Sequence, residues 1–100
     1  MHYIICYDLA SNRLRDRTAK ILLRHGCNRV QRSVFVAPAL EKTDLLRLQH
    51  DLQDLLAGKS TAGDSLLIVP LRDEHVRAIH LFGENAILDE LAPGPLKIIL

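Results

Sequence analysis

Asp8 is the residue whose type and position most readily suggest chemistry. It lies near the end of the strand-like run His2–Leu9 (HYIICYDL), immediately before a helical segment. A carboxylate at the carboxyl edge of a sheet can ligate a divalent cation. The same position is also stabilised by the helix dipole alone. One carboxylate per chain makes a sparse metal site. Magnesium keeps several waters and takes one or two carboxylates with phosphate oxygens, so a dimer that brought two copies of Asp8 together would supply that minimum.

Two basic features accompany it. In Arg29–Phe35 (RVQRSVF) alternation predicts Arg29, Gln31, Ser33 and Phe35 on one side of a strand. Arginine offers forked donors suited to phosphate oxygens, although an ordinary half-exposed strand carries the same pattern. Arg13, Arg17, Lys20 and Arg24 recur at i, i+4, i+7 and i+11. On a helix they fall within about 60° of arc and form a continuous stripe. The net charge is only +1, but residues 1–50 hold nine Lys/Arg against four Asp/Glu, and residues 51–100 hold four against eight. That asymmetry suits a local polyanion footprint, or simply a solvated helix face.

Other chemistries lack support. Gly58-Lys59-Ser60-Thr61 resembles the end of a phosphate-binding loop, but Gln53 stands where the first glycine is required. The five histidines show no ligand spacing, and Ser33 has no evident His/Asp partners for a triad. Cys6 and Cys27 form no CxxC pair, so two thiols in a reducing compartment are expected. No run suits a signal peptide or a membrane span, which predicts a cytoplasmic protein without a membrane partner.

The elements that must position these residues follow from periodicity and punctuation. His2–Leu9 is a strand, apolar on both faces. Ser11 or Asn12 caps a helix that Gly26 stops. Asn28–Ala37 is one strand, or two with a kink near Ser33. Thr43 or a neighbour caps a second helix, with Leu45, Leu48, Leu52 and Leu55/Leu56 on its inner face and Gly58 beyond it. Asp64–Leu71 is a third apolar strand, and Pro70 argues for a sheet edge or a bulge near the strand end. Val76–Phe82 reads as a further strand. After a turn bracketed by Pro93 and Pro95, Leu96–Leu100 reads as a closing strand. The order predicts one α+β domain over residues 1–100, a ferredoxin-like βαββαβ sandwich with an extra C-terminal strand. Residues from about 84 to 100 form an extension whose strand could pair with a neighbouring subunit. At 48% hydrophobic content in 100 residues, dimerisation is the natural way to bury the surplus apolar surface.

Tyr7-Asp8-Leu9, Arg13–Leu23 (RLRDRTAKILL), Gly26, Arg29–Phe35 and Asp64–Leu71 (DSLLIVPL), in this order and spacing, resemble the CRISPR-associated protein 2 family. The resemblance runs from Met1 to about Leu71. It implies a ferredoxin-like fold and a homodimer with sheets face to face. It makes Asp8 the catalytic residue and the ligand of one magnesium ion shared with its two-fold mate. Arg15, Arg17 and Arg29 become basic nucleic-acid-binding positions, with Ser33 and Phe35 beside them. It further implies a role in spacer acquisition with the integrase subunit, CRISPR-associated protein 1, and metal-dependent endonuclease activity on RNA or double-stranded DNA. A DNA-binding scaffold without catalysis is the alternative. Many relatives carry an acid or glycine after the SVF segment, where this chain has Val36-Ala37-Pro38. Arg15 lies off the helical stripe and is expected to face elsewhere.

Overall fold

In the computed structural model the chain is described over residues 1–82 and along the backbone of Ile98–Ile99. The elements are β1 (His2–Asp8), α1 (Asn12–Arg24), β2 (Asn28–Gln31), β3 (Val34–Ala37), α2 (Lys42–Leu56), β4 (Ser65–Leu71), α3 (Asp73–Arg77), β5 (Leu81–Phe82) and β6 (Ile98–Ile99). The first four strands form one antiparallel sheet in the order β2-β3-β1-β4. With α1 and α2 on one face, this is the ferredoxin-like α+β sandwich that the sequence order predicts.

Period-two alternation divides the sheet. Ile5, Tyr7, Phe35 and Ala37 join Leu14, Ile21, Leu22, Leu48 and Leu52 in a single core between sheet and helices. By register, Ile4 stands beside Val36 and Val69, and Cys6 beside Val34 and Leu67, on the opposite face. There Leu67 is 61% and Val69 41% exposed. The strand formers thus build two apolar faces; α1 and α2 cover one, and on the other Val36 is buried while Leu67 and Val69 are open among the described residues.

Local signals explain most boundaries. Ser11, in extended conformation, accepts the Leu14 N–H and caps α1. Gly26 follows at φ 80, a left-handed position that favours glycine. Pro70 sits on β4, an edge strand, as its missing N–H requires. Glu41, rather than Thr43, occupies the N-cap of α2, and it makes no side-chain capping bond. Asn28–Ala37 resolves into a hairpin turning at Arg32-Ser33. A register shift lies between Arg29 and Gln31, so Arg29 pairs with Phe35 and Gln31 with Val34. The bulge inverts the side-chain phase, which places Arg29 and Phe35 on the helix face and Gln31 on the other, correcting the expectation of one shared side.

The expected strand Val76–Phe82 is mostly not a strand. Asp73–Arg77 is a helical turn, leaving only Leu81–Phe82 extended. Helix-start chemistry outweighs the apolar pattern there. Asp73 and Glu74 occupy the first turn, and the Arg72 N–H donates to His75 Nδ1 at 3.3 Å. β5 pairs in parallel with β6 of the same chain, Leu81 with Ile98 and Phe82 with Ile99. The turn expected at Pro93 and Pro95 lies outside the described residues.

Two histidine–aspartate contacts fasten the frame. His2 accepts the Ala39 N–H at Nδ1 (2.9 Å), leaving Nε2 to face the Asp73 carboxylate. His25 Nε2 meets Asp51 Oδ2 at 2.8 Å and joins the end of α1 to α2. Each hydrogen bond from histidine holds its carboxyl below the ordinary range. A carboxyl with a lowered native pKa contributes stability that is present above the unfolded-state pKa and lost as pH falls through the native one. Urea midpoints should therefore drop as pH is lowered below about 4. In the Asp51→Asn/Asp73→Asn double variant the neutral-pH midpoint should be lower and the acid-side fall shallower.

Candidate functional site

Neighbouring residues at the end of β1 serve opposite sides of the sheet. Tyr7, 6% exposed, packs under the helices. Its ring stacks on Phe35 with centroids 6.2 Å apart, and its backbone N–H donates to the Ser33 carbonyl at 3.1 Å. Arg29 lies across the strand pair from Phe35, its Cζ 5.0 Å above that ring, and Nη2 approaches Tyr7 Oη at 3.5 Å. Phe35 itself is fully buried. It can orient Arg29 but cannot touch a ligand.

Arg15 comes to the same place from α1. Its Nη1 donates to the Leu9 carbonyl at 2.6 Å and the Ala10 carbonyl at 3.0 Å, and its Nη2 bonds Asn12 Oδ1. Arg15, Arg29 and Arg32 thereby line one cleft of about 480 Å³ with Tyr7, Asn12, Asp16 and Ser33. None of the three arginines joins an ion pair among the described residues. Sequence reasoning named Arg15 and Arg29 but missed Tyr7, Asn12 and Arg32 as lining residues. The Arg32-Ser33 turn that brings Arg32 there is visible only once the hairpin is formed.

The helical stripe also materialises. Arg17, Lys20 and Arg24 edge a groove of about 500 Å³ floored by Ile21, Leu23 and Leu55. Arg13 and Arg17 edge a second of about 360 Å³, to which the loop after α2 adds Lys59. Lys59 carried no periodic signal, because it reaches the stripe from another element. A depression of about 680 Å³ between α2 and β4 is lined by no lysine or arginine among the described residues.

Asp8 belongs to neither positive surface. It is exposed on the open face, opposite Ser65 in register. Its carboxylate makes no hydrogen bond or ion pair among the described residues, where no cluster of three metal-ligating side chains exists either. A single free carboxylate at a strand end fits a magnesium ion whose remaining ligands are water, phosphate or a second chain; it does not make a closed site alone. Gln31 likewise lies on the open face.

Asp64 connects the two sides. Its Oδ1 accepts the Ala10 N–H at 2.9 Å, and its Oδ2 accepts the Thr61 N–H at 2.8 Å and hydroxyl at 3.2 Å. These bonds, the Thr61 N–H foremost, hold its carboxyl below the ordinary range. The Leu9–Ala10 segment is thus held through N–H by Asp64 and through carbonyls by Arg15. This loop follows Asp8 directly and carries the carbonyls that hold Arg15 at the cleft. The signal in the sequence was the aspartate opening DSLLIVPL, which strand periodicity does not explain.

Fold and site together define a small ferredoxin-like α+β protein with a basic surface on the helix side and, among the described residues, a carboxylate without a partner on the opposite sheet face. Residues 1–79 match the family described as CRISPR associated protein Cas2, and the chain belongs to that family. A Synechocystis protein named CRISPR-associated endoribonuclease Cas2 2 is 37% identical over 83 residues, covering 81% of this chain and 83% of its own. The CRISPR-associated endoribonuclease Cas2 of Thermofilum pendens is 28% identical over 82 residues, covering 82% and 83%. The crystal structure of Streptococcus pyogenes Cas2 superposes with a TM-score of 0.68 at 21% identity, over 83% of this chain and all of that one. A hypothetical protein of Thermus thermophilus superposes with a TM-score of 0.60 at 29% identity, over 71% and 80%. No helix among the described residues is long and apolar enough to cross a membrane.

The clamp has a direct readout in amide hydrogen exchange. In Asp64→Ala the Ala10 and Thr61 amides should lose protection together while core amides of β1 keep theirs. Asp64→Asn keeps only one acceptor oxygen and should restore one of the two.

Proposed function

We propose that two copies of this chain pair through the open sheet face and act on nucleic acid in CRISPR spacer acquisition, alongside the integrase subunit. The observation that carries this reading is the pair of opposed surfaces. Ile4, Cys6, Val34, Leu67 and Val69 leave an apolar face beside Asp8, and Arg13, Arg17, Lys20, Arg24 and Lys59 edge an unpaired basic track on the helix side. Pairing through the apolar face would bury exposed aliphatic surface and leave both basic tracks outward for a phosphate backbone.

In the enzymatic reading the reaction is phosphodiester hydrolysis, which the endoribonuclease names of the relatives support. Asp8 of each subunit would hold magnesium. The ion, when bound, supplies a water of lowered pKa and a positive charge against the phosphate. The chain's own part is to leave the carboxylate unpaired among the described residues, while the Asp64–Ala10 contact ties down the loop that follows it. Arginines and Lys20 then neutralise neighbouring phosphates and orient the strand.

The scaffold reading rests on a different fact: the basic track and Asp8 lie on opposite faces of the sheet. Binding along α1 therefore needs nothing from the carboxylate. Asp8→Asn should abolish metal-dependent cleavage of RNA or duplex DNA in the enzymatic reading, with dimerisation and binding unchanged. Full cleavage by that variant would remove Asp8 from the chemistry, and spacer acquisition that survives it would favour the scaffold. Duplex affinity should fall with salt, the slope of log K against log[salt] shrinking by about 1 for each of Arg13, Arg17, Lys20, Arg24 or Lys59 replaced by alanine.

A further inference from the structure

We propose that the Arg15–Arg29–Arg32 cleft is a site for a phosphate monoester at the end of a nucleic-acid strand, separate from Asp8 and from the helical track. The proposal rests on the nucleic-acid reading for the source of its ligand, but its geometry stands on its own. The cleft lies between the first turn of α1 and the β2–β3 turn, floored by a nearly buried Tyr7. Three arginines line it and Asp16 is its one carboxylate among the described residues, so that lining carries two positive charges in excess. A monoester carries about −1.5 to −2 at pH 7, which matches that excess; an internal diester carries one charge per phosphate.

Two of the three arginines are held in advance. Arg15 is anchored to the Leu9 and Ala10 carbonyls and to Asn12, three contacts that leave two of its N–H groups unspent. Arg29 lies over Phe35 and against Tyr7. The Arg32 guanidinium makes no hydrogen bond or ion pair among the described residues. On binding, the ordering that remains is that of Arg32. Shape separates this site from the track along α1. A strand end can present a single phosphate to a recess, whereas an internal phosphate arrives with a nucleotide on each side. Because Tyr7 and Asp8 point to opposite faces of β1, a phosphate held here lies across the sheet from the carboxylate.

The test is fluorescence anisotropy of the full chain, in chelator and without divalent metal, with one labelled oligonucleotide ending in a 5′-phosphate, a 3′-phosphate or hydroxyls only. One phosphorylated end should bind on the order of tenfold tighter than the hydroxyl-ended strand. That preference should fade below about pH 6, as the monoester takes up its second proton. Arg32→Ala, at an exposed turn, should erase the preference and keep most of the hydroxyl-ended affinity. Asp8→Asn should keep the preference. Adenosine 5′-monophosphate should compete for the preference alone, which would show that free nucleotides also reach the site. Equal affinity for phosphorylated and hydroxyl ends, or a preference that survives both Arg32→Ala and Arg29→Lys, overturns the site and leaves the broader reading standing. Failure to bind any oligonucleotide overturns both.

Discussion

The structure depends on β1 being a central strand hydrogen-bonded on both sides. It pairs with β3 over Tyr3–Cys6 and with β4 over His2–Asp8. A strand bound along both edges cannot rotate about its axis, so each side chain is committed to one face. That commitment sends Tyr7 into the helix-covered core beside the arginine cleft and Asp8 to the open face. A one-residue slip of β1 would exchange them and expose the aromatic floor of the cleft.

The charge distribution obeys a different rule. The ion pairs among the described residues involve α2, α3 and the two histidine fasteners, never the arginines of α1 or the β2–β3 hairpin. Uncompensated like charges repel one another and oppose the compact state. Keeping them together makes physical sense if a polyanion supplies the missing partner. Two of the three arginines of the cleft, Arg15 and Arg29, are steadied by carbonyls, a ring face and a phenol, contacts that orient a guanidinium without cancelling its charge.

Much of this was legible in advance. Ser11, Gly26 and Pro70 announced a helix start, a helix stop and an edge strand through properties each residue carries wherever it is placed. The stripe Arg13–Arg24 was readable because all its members lie on one helix, where spacing alone determines angle. The region after β4 misled for a related reason. Val76–Phe82 contains strand formers, yet Asp73, Glu74 and His75 start a helix just before it, and a short segment follows its start signal.

Sequence by itself determined the order of the elements from β1 to β4, the apolar character of both sheet faces, the basic stripe and the isolation of Asp8 from any local ligand partner. Each of these is a property of residues near one another along the chain. Only the tertiary structure decided that Arg15, Arg29 and Arg32 converge, that Lys59 extends the stripe, and that Asp64 clamps the loop behind Asp8. Apart from Arg29 and Arg32, which share one hairpin, those relations join residues 14 to 54 positions apart, across a bulge whose single extra residue reverses side-chain phase. No spacing rule reaches that far, because the distance between such residues is set by how the layers pack.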